Sequence, residues 1–225
     1  MATVATSIIG FYKSLQPPSI FPKNVKILFP QKSQQVIKVV ETFFYKYYDD
    51  NNARHLIFGI NPGRFGGGTT GINFTAPKQL KEFCGIDHSF KPQSELSAEF
   101  IYDSITAYGG VEKFYKDYFI TSVSPLGFVK NGVNLNYYDD KKLQETLTPF
   151  IISSIKKQIS LGFKTDYCIC VGGDKNLKFF SSLNEKYSFF ERIIPLPHPR
   201  FIMQHRRKQK EKYIHQYLSA LQLGY

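Results

Sequence analysis

The chain has 225 residues, 42% hydrophobic and 21% charged, close to globular averages, which excludes pervasive disorder or a fibrous repeat and suits one medium α/β domain. Lys plus Arg exceed Asp plus Glu by 29 − 18 = +11, an excess that attracts polyanions, either nucleic acid or an anionic membrane, through salt-screened forces. No apolar run reaches the ~18 residues of a membrane helix and the N-terminus lacks the features of a secretory signal, so the expectation is an intracellular protein with no membrane partner.

The opening residues to Leu15 have helical spacing. Pro17, Pro18, Pro22 and Pro30 then impose an extended connector before a second helical pattern from Ser33 to Tyr48, so residues 1–50 read as a helical arm on a single domain spanning 1–225. After the turn signal at Asp49 to Asn52, the run His55 to Ile60 is almost wholly apolar and of strand length, as a buried parallel strand should be.

The alternation continues: helix Leu96 to Ala107, strand Tyr118 to Val123, helix Asp140 to Ser160, strand Tyr167 to Val171, helix Lys175 to Leu183, strand Arg192 to Leu196, helix His205 to Leu221. It implies βαβ crossovers and a three-layer α/β/α fold around a central, mainly parallel, four-stranded sheet. Pro195 fits an edge strand, and Pro149 is expected to kink or restart its helix. Cys84, Cys168 and Cys170 contain no CxxC pair; they read as buried structural thiols, and neither metal nor cofactor is expected.

Every unusual segment follows a strand: Asn61 to Gly71, Ser124 to Gly127, Gly172 to Asp174, and Pro197 to Arg200. In an open α/β sheet the strand C-termini share one edge, so these segments should converge on one ligand site. The first segment is glycine-rich, but Gly68 is followed by Thr69-Thr70 and not by Lys-Ser/Thr, so it is no Walker loop; the dinucleotide fingerprint lacks its ribose-binding acid.

The string Gly59-Ile-Asn-Pro-Gly-Arg-Phe-Gly-Gly-Gly-Thr-Thr-Gly-Ile-Asn-Phe74 resembles the uracil-DNA glycosylase superfamily, and within it the single-strand-selective monofunctional (SMUG-type) family. Similarity continues through Glu95-Leu-Ser, Phe114 to Leu126 and Val171-Gly172 to His198-Pro199, leaving the arm uncovered. His198-Pro199 separates the chain from the mismatch-specific family, which carries Asn-Pro-Ser there. The resemblance implies a monofunctional DNA glycosylase that flips uracil from single- or double-stranded DNA and hydrolyses its N-glycosidic bond. The expected enzyme is a monomer, located in the nucleoid if bacterial.

On this reading Asn61 positions the attacking water through a carboxamide oxygen that needs no ionisation, and His198 donates to the base oxygen as negative charge builds there. Gly63, Phe65, Gly67, Phe74 and Ser122 would hold the extruded base, Phe74 by stacking. Arg200, Phe201, Ile202, Met203, Arg206, Arg207 and Lys208 would form an apolar wedge and phosphate contacts, in place of the family's usual Pro-Ser-Pro-Arg-Asn-Pro wording.

The chain departs from the pattern at Ser122, where SMUG-type enzymes usually place an asparagine that reads the pyrimidine edge; Ser122 would act through water, or the reading would pass to a side chain such as Asn73. Arg64 and Gly66-Gly67-Gly68 also differ from the family loop. The rival readings are a mismatch-type glycosylase acting on thymine or deaminated purines, and a non-catalytic nucleic-acid-binding module.

Overall fold

Three buried five-residue runs, flanked by a partly exposed fourth, form the centre of the computed structural model, which describes residues 2–93 and 95–223. Met1, Ser94, Gly224 and Tyr225 of the expected 1–225 unit lie outside the described residues. The chain opens with helix α1 (Val4–Lys13), capped by Thr3, then strand β1 (Val25–Leu28), a 3-10 turn at Pro30–Lys32 and helix α2 (Gln34–Tyr48). Next come β2 (His55–Gly59), short helices α3 (Gly67–Thr70) and α4 (Pro77–Glu82), α5 (Leu96–Tyr108), α6 (Val111–Asp117) and β3 (Tyr118–Ser122). A hairpin of β4 (Gly127–Lys130) and β5 (Val133–Leu135) precedes α7 (Lys141–Ile159), β6 (Tyr167–Val171), α8 (Asp174–Tyr187) and β7 (Arg192–Leu196). Helix α9 (Pro199–His205), a 3-10 turn at Arg207–Gln209 and α10 (Lys210–Leu221) complete it.

The main sheet has four parallel strands in the order β3-β2-β6-β7, as the alternating pattern implies. Successive side chains on a strand point to opposite faces. Ile57, Ile120 and Ile169 therefore meet Ile101 and Ile105 of α5 and Tyr217 and Leu221 of α10. On the other face Phe58 meets Phe180 of α8, Phe119 meets Phe44 of α2, and Thr121 meets Gln158 of α7. Two helical layers thus cover the sheet. Pro195 lies on edge strand β7, where its missing N–H breaks no ladder bond to a further strand. Cys84, Cys168 and Cys170 are buried free thiols.

Three expectations change. Helix α7 runs through Pro149 as one helix, so of the two effects expected of this proline the restart does not occur. The proline-rich connector contains β1, which pairs with β4 in a separate antiparallel sheet of order β1-β4-β5. The expected helix from His205 is divided, because α9 ends at His205 and α10 begins at Lys210.

Candidate active site

The C-terminal ends of the four parallel strands open into one cleft of about 380 Å3, a volume within the range of small-ligand sites. Asn61 follows β2, Ser122 ends β3, Gly173 follows β6 and His198 follows β7, and all four line it. A second depression of about 410 Å3, walled by Pro77, Lys78, His88 and Gln93, takes no residue from this sheet edge.

Asn61 is held by the hairpin. Its Oδ1 accepts from Tyr137 N at 3.1 Å and its Nδ2 donates to Leu135 O at 3.4 Å, so the carboxamide is fixed while one Oδ1 lone pair stays uncommitted. His198 is held by the helix it caps. Its Nδ1 accepts from Arg200 N at 3.1 Å, which places the ring proton on Nε2 and makes that atom the donor. Burial, aided by the Arg200 guanidinium, pulls the imidazole from 6.5 down to about 4, so it is neutral at physiological pH.

Phe74 sits 6.0 Å from His198, ring centre to ring centre, on a tight turn from Ile72 to Thr75. Its φ of 52° lies in the left-handed region, a costly conformation for an aromatic residue. The buried Thr70 hydroxyl, bonded to Thr75 O at 2.6 Å, helps hold that turn. The ring also lies against the sheet edge, where a Cβ at Gly59 would come within 2.7 Å of it; only a glycine admits this approach. Asn73, the other central residue of the turn, lines the cleft, and Ser122 Oγ donates to its Oδ1 at 2.7 Å.

Gly63 and Gly67 line the cleft as expected, and Gly63 O accepts from Gly66 N and Gly68 N to close the loop. Phe65 does not line it. Its ring is 39% exposed and stacks under the Arg64 guanidinium at 4.4 Å, because the loop directs it outward. The expected wedge narrows too. Residues 201–203 fall on one helical turn, so Phe201 is 43% exposed at the cleft while Ile202 and Met203, at 0% and 6%, face the core and are not presented to a ligand. Arg206 lies over the Phe201 ring at 5.4 Å, and Arg207 and Lys208 are exposed in the following turn.

Sequence reasoning gave no role to several lining residues. Glu95, buried at the N-terminus of α5, accepts from Arg200 Nη2 at 3.0 Å and from Ala98 N at 3.2 Å, tying α5 to α9 across the cleft. Asn134, Asn136 and Tyr138 arrive on the β4–β5 hairpin and its exit. The signal for them was Asn131-Gly132, whose positive φ values of 51° and 78° make the two-residue turn that places this wall.

A family model described as the Uracil DNA glycosylase superfamily matches residues 45–222. The chain belongs to the uracil-DNA glycosylase superfamily. Among solved structures it is similar to SMUG2 of Pedobacter heparinus, with 48% identity and a TM-score of 0.94 over 98% of this chain and 97% of that one. No curated protein matches. The resemblance to the SMUG type read from the Gly59 to Phe74 string is thus supported over nearly the whole chain, whereas the family model begins at residue 45.

Proposed function

We propose that the chain is a monofunctional DNA glycosylase that extrudes uracil from DNA and hydrolyses its N-glycosidic bond, leaving an abasic site. The observation that carries this reading is that Asn61, His198 and Phe74 share one cleft, with an amide acceptor and a neutral imidazole donor both fixed by backbone partners. Cleavage of the bond from sugar C1′ to the base nitrogen sends the electron pair into the base. A donor preset at the base oxygen stabilises that charge without reorganising. Water held by the free lone pair of Asn61 Oδ1 adds its oxygen to C1′ and releases a proton to solvent. No lysine is among the described residues lining the cleft, which favours direct hydrolysis over a Schiff base with the sugar.

Phe74 supplies the stacking face, Ser122 with Asn73 the polar edge, and Gly63 and Gly67 the close backbone approach. Phe201 is the side chain that replaces the extruded nucleotide in the stack, while Arg200, Arg206, Arg207 and Lys208 meet phosphates. Residues 1–225 act as one intracellular monomeric unit with residues 1–50 packed on it. The test is an assay of alkali-labile sites in oligonucleotides carrying one uracil, thymine, xanthine or hypoxanthine. Cleavage at uracil is the expected result; cleavage confined to the other bases would transfer the chain to the mismatch-type reading, and none at all would leave a binding module.

A further inference from the structure

We infer that Tyr12, on helix α1, is a positioning residue for base recognition: its hydroxyl holds the Nδ2 end of the Asn73 carboxamide at the cleft. The inference rests on the functional reading above and deepens it. Asn73 is nearly buried, and its two ends have separate partners, Oδ1 receiving the Ser122 hydroxyl at 2.7 Å and Nδ2 donating to Tyr12 OH at 3.3 Å. Ser122 alone anchors only the Oδ1 end; with Tyr12 the carboxamide is held at both ends.

Tyr12 is itself held rigidly by the core. Its side chain is buried and its ring is stacked on Phe44 of α2 with centres 6.0 Å apart, so the hydroxyl meets Asn73 Nδ2 from a fixed direction. Burial pushes the phenol up to about 12, so it stays neutral at physiological pH. The carboxamide is therefore held in one place beside Ser122 at the cleft, as a group that reads a base edge needs to be. Tyr12 lies outside residues 45–222, so this device is built from a segment the family model does not include.

The experiment compares Tyr12→Phe, Asn73→Ala and the double variant in single-turnover release from a uracil oligonucleotide, with Tyr48→Phe as a control. The Tyr48 hydroxyl, bonded to Tyr118 O at 3.0 Å, is equally buried but contacts no cleft residue. Tyr12→Phe keeps the ring stacked on Phe44. It is expected to slow release roughly tenfold, the scale of one neutral hydrogen bond, with no further loss when added to Asn73→Ala. Multiplicative losses, a Tyr12→Phe rate equal to wild type, or an equal loss in Tyr48→Phe would each overturn the inference. A second readout needs no activity: the Asn73 side-chain NH2 signals, assigned by NMR, should be protected from exchange in wild type and lose protection in Tyr12→Phe. If wild type leaves uracil intact yet shows that pattern, the substrate reading fails and the positioning stands. Absence of the pattern overturns the positioning itself.

Discussion

Asn61 and His198 each spend part of their hydrogen-bonding capacity on backbone, and what remains is the part the proposed chemistry would use. Replacing either by alanine is expected to lower single-turnover uracil release by roughly 10²-fold or more, the scale of losing a preorganised donor or water contact. Because His198 is depressed from 6.5 to about 4, its neutral form persists as pH falls through 6.5, and the acid limb of the excision profile should lie near 4. Stability follows the opposite side of the same shift. Between 6.5 and 4 the unfolded chain binds the proton that the folded one refuses, so folding weakens as pH falls across that window. Melting curves at pH 7 and 5 should show this, with a smaller drop in His198→Gln. Both residues were legible because each stands in a short motif at a strand end. The Ser122–Asn73 pairing was visible only as a missing asparagine at 122 and a polar neighbour at 73, since residues 49 apart declare no contact in sequence.

Helix α9 shows how one turn separates roles that a linear reading merges. Phe201, Ile202 and Met203 look like a continuous apolar wedge, but consecutive helical residues point about 100° apart, so only the first reaches solvent at the cleft. Phe201→Ala should impair excision from duplex DNA more than from single strands and leave the melting temperature nearly unchanged. Ile202→Ala should instead cost about 2–5 kcal/mol of stability by opening a core cavity. Calorimetry with paired duplex and single-strand assays separates them, and a stable but wedge-defective Ile202→Ala would reverse the assignment. Three of the parallel strands were readable because burial on both faces makes their sequences largely apolar, and edge strand β7 keeps an apolar run although it is partly exposed. The β1-β4-β5 sheet was missed because its strands have three or four residues, and partial exposure of β1 and β5 breaks up the apolar pattern.

Across the whole molecule the excess of eleven positive charges acts on any polyanion before a single base is read. Affinity for nonspecific DNA should fall at least tenfold between about 50 and about 200 mM salt, with the slope of log affinity against log salt reduced by about one in Arg207→Ala or Lys208→Ala. Titration by fluorescence anisotropy at several salt concentrations measures this, and a slope unchanged in both variants would place the phosphate contacts elsewhere.

Tyr12 on α1 and Asn73 at the cleft lie 61 residues apart, so the bond between them forms only once both segments have folded. A nascent chain carries α1 and its neighbour α2 well before the strands of the main sheet are complete. The two helices can pack early through Tyr12 and Phe44, but the apolar surface they turn toward the sheet stays open to chaperones or to aggregation until those strands emerge. On the proposed reading, the polar edge of the cleft is completed late, when the sheet closes against a helical pair formed early.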